Sequence, residues 1–558
     1  LGAGAELCGV SMILPFVNAI MDPEFISGSS LLSSFQNATG MSTNGMISLL
    51  AMSLVVVYLV KNIYLVAMNN QIYKYTYRSQ RDLACRMMQY YMGLPYIRLR
   101  EQNSSDLIRN ITADSNRCFV VILNLLQMTS ELLISGVLVV YLVITDPVIT
   151  ILVVVIMCIS MFLVLKFVKK KVSVLGQKDR YFEAQMNKCV LEAFGGVKEV
   201  KITHSEKFFM DDYYYKSTRY AELHRKCDVL GIIPKQVMEV VTIGSLMVSL
   251  TIRLLMGADP STFIPIVSVF AVAAFRLLPS VNKIASYINS IAFHLASFNA
   301  IYESIDEMRE GNEEYIENTE NKPAVTLNDR FELKNLSFHY PDSDKNVIDG
   351  IDLILKKNES IAFIGPSGAG KTTLADIILG VLAPQGGQML VDGESINDNI
   401  YNWQKRLGYI PQSIFLFDDN IRKNIAFGIP EDEIDDGMVW KALEEAQLKS
   451  FVEELPEGLE TRIGERGARL SGGQKQRIGI ARALYYNPDI LVLDEATSAL
   501  DNETEKAVME SIEKLQGSKT MIIIAHRLTT VQHCDNIYEV KDGKVIHKDK
   551  EEIFGKKA

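Results

Sequence analysis

At 558 residues the chain is too long for one hydrophobic core, so at least two domains are expected. A formal net charge of −10 and a pI near 5.4, with no basic tail and no aromatic–basic stripe, argue against a nucleic-acid partner. Seven cysteines, scattered without CxxC or metal-type spacing, argue against a disulfide framework and read as free thiols.

The apolar fraction of 48% is ordinary, but its distribution is not: long apolar runs crowd the N-terminal half and charge collects behind them. The chain opens on LGAGAELCGVSMILPFVNAIM, already apolar and without an initiator Met, which predicts a first membrane span whose beginning is missing. A span needs about 20 mostly apolar residues. Six stretches meet that test: Leu1–Met21, Met46–Met68, Phe119–Ile144, Val148–Leu165, Val237–Met256 and Phe263 to about Leu278. Between the first two, SSLLSSFQNA fits either a short amphipathic surface helix or a flexible loop. Short hairpins at Thr145–Pro147 and Gly257–Thr262 join later pairs, with proline ending each preceding helix.

Lys and Arg are absent from Asp22 through Val60 but frequent in Asn69–Cys118 and Lys166–Gln236, including KFVKKK at Lys166–Lys171. The positive-inside rule puts those two segments, and both chain ends, in the cytoplasm. Their helical periodicity and scarcity of breakers predict membrane helices that continue into the cytoplasm and turn at their tips. The tips are expected to carry transverse helices near 103–117, capped by Ser104 or Ser105, and near 191–206, interrupted at Gly195–Gly196; plain solvated turns are the alternative.

Ionisable residues within spans cost roughly 2.5–3.5 kcal/mol each on insertion scales. Glu6, Glu131, Glu239, Arg253, Arg276 and Lys283 each need a reason to be there. Arg276 and Lys283 fall seven positions apart on one helix face, about 10 Å along the axis. They form either a cationic ladder for an anionic substrate or an internal arrangement, with Arg276 paired to Glu239 and Lys283 snorkelling.

After His294 an acidic stretch, ESIDEMREGNEEYIENTENKP, reads as a linker, dividing a membrane domain at 1–322 from an α/β domain at 323–558 with an antiparallel portion at its start. The strand SIAFIG followed by GPSGAGKTT forms a P-loop of Gly365, Pro366, Ser367, Gly368, Ala369, Gly370, Lys371, Thr372 and Thr373. Its amides close on phosphates, Lys371 supplies charge, and the Thr372 hydroxyl suits Mg²⁺. RLSGGQKQR carries Ser471, Gly472, Gly473 and Gln474 where a helix begins, a second anion cradle in a chain that already has one. In ILVLDEATSALD a buried apolar strand delivers Asp494 to the metal shell, with Glu495 beside it to polarise an attacking water.

LSGGQ, the P-loop, LVLDE, SALD, Gln412 in GYIPQ and His526 in IIIAHR resemble, in order and spacing, the ATP-binding-cassette transporters. The resemblance covers the whole chain and implies an ABC exporter half: a six-helix membrane domain with long cytoplasmic extensions, fused to an ATPase that uses ATP and Mg²⁺. It implies that Tyr340 stacks on adenine, that Gln412 meets Mg²⁺ and the membrane domain, and that His526 contacts the γ-phosphate. GERG at Gly464–Gly467 matches the stretch that exporters use near the transverse helices. In this family LSGGQ holds the γ-phosphate of ATP bound to the other subunit, so a homodimer with two shared sites is the simplest reading and a heterodimer the other. RLLPSVNKI and EAFGGVKEVK further resemble flippases of lipid-linked oligosaccharides from the cytoplasmic membrane of bacteria. That implies a polyprenyl-pyrophosphate glycan whose pyrophosphate meets Arg276 and Lys283; in place of Lys283 an Arg would be expected, and Lys lacks the bidentate fork. Export of peptides, drugs or other lipids, and an ATP-gated channel, are the alternatives.

Overall fold

The computed structural model describes residues 4, 7, 11–21, 25–145, 147–255, 260–311, 322–343, 345–495, 502–525 and 531–554. Side chains of 252–276 lie outside that description, as do a few others near element ends. Two compact units result: Leu1–Gly93 with Glu101–Asn312, and Leu94–Arg100 with Glu313–Ala558.

The first unit is helical. Its long members are α1 (Thr43–Gly93), α2 (Ser115–Thr145), α3 (Pro147–Gly195), α4 (Glu206–Leu255) and α5 (Pro260–Gly311). Among the described residues three helices are long and apolar enough to cross a membrane, Thr43–Gly93, Ser104–Ile144 and Thr150–Gly195. Apolar side chains such as Val140, Ile144, Val148 and Phe162 lie more than half exposed on them, as a lipid-facing surface requires. The expected spans at 237–256 and 263–278 fall on α4 and α5. Much of the first expected span, Glu6 included, lies outside the described residues, as do the side chains of Arg253 and Arg276. Ser30–Thr39 is helical and closed by Gly40 in the left-handed region, φ 63°.

One expectation is corrected. Residues 103–117 do not form a separate transverse helix. The chain breaks earlier, after Gly93, where Pro95 cannot continue the ladder, and a short helix follows at Tyr96–Glu101. Asn103, not Ser104 or Ser105, then accepts from the Ser105 amide at 3.0 Å and caps a new helix. That helix runs through a π-turn at Asn110–Asp114 straight into α2, because no breaker intervenes. At the other tip α3 ends at Gly195 and a short helix, Val197–Ile202, leads to α4.

Helix α4 runs along α3, and α5 packs on both α2 and α3. They approach closely at Gly176, where a Cβ would lie 1.9 Å from the Phe293 carbonyl oxygen. Glycine at mid-helix costs about 1 kcal/mol, and here it permits backbone contact between α3 and α5.

Beside this crossing lies a buried ionic cluster. The π-turn carries Asp114, 0% exposed, whose Oδ2 accepts from Arg109 Nε at 3.2 Å and from Arg180 Nε and Nη2 at 3.1 and 3.0 Å. Arg117 spans Asp179 at 3.2 Å and Glu183 at 3.0 Å, and His224 Nε2 lies 2.7 Å from Asp179 Oδ1. Burial pushes both the Asp179 and Glu183 carboxyls up, against the pull of Arg117 on each and of His224 on Asp179.

His294 adds a titration to this region. Burial chiefly, then the charges of Arg117 and His224, bring it from 6.5 down to about 4. Between those values the unfolded chain binds a proton that the folded chain does not, so stability falls as pH drops from 6.5 towards 4 and is level above 6.5. His294→Gln should flatten the pH dependence of the unfolding temperature in that window. An unchanged slope would assign the acid sensitivity elsewhere.

The second unit is α/β. A four-stranded antiparallel sheet has the order β2 (Ile348–Lys356), β1 (Arg330–Phe338), β4 (Gly386–Val391), β5 (Glu394–Ser395). A six-stranded sheet has the order β10 (Lys544–Lys548), β9 (Asn536–Lys541), β3 (Ser360–Ile364), β8 (Thr520–Ile524), β7 (Ile490–Asp494), β6 (Leu407–Ile410). Strand β3 is flanked by parallel partners on both sides, and its residues and those of β7 and β8 are almost all buried, which is why they read as unbroken apolar runs. Within this unit Ile97, from the tip after Gly93, packs on the core that holds Phe331, Leu374 and Trp403.

Candidate nucleotide site

The site forms where parallel strands end. Strand β3 stops at Ile364 and the loop 365–370 turns into α6 (Lys371–Ile378). Three glycines take conformations closed to other residues: Gly365, Gly368 and Gly370, at φ 142°, 81° and 100°. At Gly365 a Cβ would meet the Val540 carbonyl oxygen at 2.4 Å, so β9 leaves room for hydrogen only. Pro366, Ser367 and Gly368 are exposed, Ala369 is half-buried, and Lys371 and Thr373 are buried while Thr372 faces out.

Lys371 Nζ donates to the carbonyls of Gly365 and Pro366, both at 2.9 Å. Burial draws its pKa down, while the charges of Glu495 and Asp494 act against that. Asp494, 7% exposed, ends β7, and Glu495 follows at φ 47°. A non-glycine residue there stores strain of order 1–3 kcal/mol. The Glu495 amide donates to the Ile524 carbonyl at 3.0 Å, tying the turn to β8. Gln412 Nε2 donates to Glu495 Oε2 at 2.7 Å, so two of the predicted residues, 83 positions apart, are in contact.

The Tyr340 hydroxyl lies 3.1 Å from that of Thr373, and its ring stands edge-on to Phe338 at 5.1 Å. Gln385 clamps the preceding residue: its Oε1 accepts from the His339 amide and its Nε2 donates to the His339 carbonyl, each at 2.8 Å. Ser471 caps α7 (Gly472–Leu484) in a capping box with Gln474, its amide donating to Gln474 Oε1 at 2.8 Å. Ser471 and Gly472 are exposed, Gly473 buried and Gln474 half-buried. His526 and the SALD segment lie outside the described residues.

Sequence reasoning missed Gln385 and Arg482. Arg482, on α7, donates to the carbonyls of Asn424 and Phe415 at 2.8 and 2.7 Å and lies over the Phe427 ring, fixing the segment after Gln412. Burial brings its guanidinium down to about 10. Neither residue belongs to a motif, and no spacing signals it.

The ABC transporter family model matches residues 348–498. The fold is similar to a bacterial Atm1-family ABC exporter solved with ATP bound, with a TM-score of 0.76 over 98% of this chain and 96% of that one, at 21% identity. The chain thus has the fold of an ABC exporter. An ATP-dependent lipid A-core flippase of Cupriavidus pinatubonensis is 33% identical over 64% of this chain and 60% of its own length. One from Bordetella avium is 28% identical over 82% and 76%. ABC transporter BEA3 of Gibberella fujikuroi is 44% identical over 39% of this chain and 17% of its own length. The chain thus spans about 60% of the length of flippases such as that of Cupriavidus pinatubonensis.

Proposed function

We propose that this chain is one half of an ATP-driven pump that moves an anionic, lipid-anchored glycan across the cytoplasmic membrane of a bacterium, working as a homodimer. The observation that carries the reading is a P-loop domain matching the ABC transporter family, joined in one chain to helices long and apolar enough to cross a membrane. The named function of the flippase relatives supports a glycolipid as cargo, and among such lipids we favour a polyprenyl-pyrophosphate oligosaccharide.

ATP would lie on the amides of Gly365–Thr373 with adenine on Tyr340. Lys371, released from the two loop carbonyls, is then available to the phosphates. Thr372, Asp494 and Gln412 present hydroxyl, carboxylate and amide oxygens, a hard donor set that fits Mg²⁺. Bound there, the ion supplies charge neutralisation to the phosphates. Glu495 orients the attacking water and takes its proton once Gln412 gives up its carboxylate. His526 would contact the γ-phosphate. Ser471 and Gly472, exposed at a helix start already ordered by the capping box, would meet the ATP of the second copy. A motif redundant in one chain is required in two.

The test is ATPase activity of the purified chain in neutral-lipid nanodiscs, titrated with polyprenyl-pyrophosphate oligosaccharide, lipid A-core or a peptide. Stimulation by the first supports the full reading, and stimulation by lipid A-core alone keeps the glycolipid but changes its anchor. Stimulation by peptide only would discard the glycolipid.

A further inference from the structure

Strand β1 ends at Phe338, two residues before Tyr340, where its partner on one side gives out. The antiparallel ladder with β4 runs from the pair Phe331 and Val391 to the pair Ser337 and Gly386. The Gln385 amide then donates to the Ser337 carbonyl at 3.0 Å. By the same register the next rung would set His339 against Pro384, which has no N–H to give. On the opposite side of the strand the Phe338 carbonyl still accepts from the Val347 amide at 2.8 Å. The peptide groups of His339 thus face the place where β4 can no longer serve them.

The Gln385 side chain serves them instead. A primary amide carries the same donor and acceptor as a peptide. Both are spent on one residue: Oε1 accepts from the His339 N–H and Nε2 donates to the His339 carbonyl, each at 2.8 Å. This adds one rung to β1, and Tyr340 is the residue that leaves it. Beyond that rung the Tyr340 carbonyl accepts from the Ser343 amide at 3.0 Å, inside the loop itself. Its hydroxyl lies 3.1 Å from that of Thr373 in the helix after the P-loop. Gln385 is exposed, so replacing it opens no cavity, and an effect on the loop can be told from an effect on the core.

We propose that Gln385 is a positioning residue for the nucleotide base: by closing the β1 ladder at His339 it aims Tyr340 as a platform for a purine. This rests on the reading of Tyr340 as the partner of adenine given above. The residue that sets the platform lies 45 positions from it, on the loop before β4.

The full chain in neutral-lipid nanodiscs is assayed for hydrolysis of Mg·ATP and, separately, of Mg·CTP, whose pyrimidine covers less of an aromatic ring. KM and kcat are compared for wild type, Gln385→Leu, Tyr340→Ala and the double variant. Gln385→Leu removes both donor and acceptor. It should raise KM for ATP by roughly five- to tenfold, as when the ligand must order one residue of backbone, with kcat within about twofold of wild type. KM for CTP should rise less, so the preference for ATP narrows. In the Tyr340→Ala background the same substitution should add nothing, because both act through one contact. Equal rises for the two nucleotides, or additive effects in the double variant, would make Gln385 a general support of the loop and overturn the proposal. A Gln385→Leu chain that behaves as wild type would overturn it as well and leave the reading of Tyr340 standing. If Tyr340→Ala leaves the ratio of the two KM values unchanged, that reading fails and the proposal with it. Should Gln385→Leu lower the unfolding temperature, Gln385→Glu keeps the acceptor and loses the donor. Its KM for ATP should rise by about two- to threefold, and a value equal to wild type would refute the proposal.

Discussion

Glu495→Gln should leave ATP binding intact and slow hydrolysis by ~10²–10⁴, the usual worth of a positioned general base. The substitution is close to isosteric and preserves what holds the residue in place. The amide bond to the Ile524 carbonyl involves backbone only, and the left-handed conformation at φ 47° is set by the turn from β7 towards β8. A Gln side chain can still meet Gln412, with its carbonyl accepting as the carboxylate oxygen does now. What is lost is the ability to take a proton. The variant should therefore retain Mg·ATP in a filter or fluorescence assay while single-turnover hydrolysis falls. Turnover near wild type would show that another group does this work. Loss of binding would show that the charge of Glu495 matters more to the loop than to the water.

The second large effect is on stability. Asp114→Asn should cost about 3 kcal/mol, the lower end of what breaking a buried ion pair costs, because its arginine partners are partly exposed. The argument rests on the π-turn. Widening the backbone at Asn110–Asp114 places Asp114 where one carboxylate oxygen serves two arginines, one preceding it on its own helix and Arg180 on α3. Removing that charge leaves Arg109 and Arg180 facing each other without their shared counter-ion. Arg109 keeps Asp106 at 2.8 Å, but that carboxylate is 53% exposed and worth little. The comparison to make is the thermal unfolding of Asp114→Asn beside Asp106→Asn in the same lipid. The first should fall by several degrees and the second barely change. Equal shifts would remove the special role of the π-turn.

The geometry of the glycine loop and the fold class were legible because each depends on local chemistry. A strand, a glycine loop and a helix in succession can be read directly, since the left-handed positions at Gly365, Gly368 and Gly370 lie within six residues of one another. The buried strands β3, β7 and β8 announce themselves by uninterrupted aliphatic residues, and the membrane helices by length and hydropathy. Contacts between distant residues were not legible. The turn before 103–117 was not legible either, because a capped helix start and a tip that turns look alike in polar sequence; only Pro95 and the Asn103 side chain separate them. The sequence offers Lys283 a ladder with Arg276 or a snorkelling position, and the structure pairs it with Glu131, 152 positions away on α2.

What the sequence by itself determined about this protein is therefore the list of parts: an α/β domain with its glycine loop and capped motif, and long apolar helices before it. Which residues meet was decided by tertiary structure alone. Helices of about 50 residues that are apolar on all sides in their membrane portion carry no single stripe to set their rotation, so their pairing comes from packing, such as the contact Gly176 makes with Phe293. Once that packing sets the phase of α5 against α2 and α3, the Glu131–Lys283 pair and the environment of His294 follow from it.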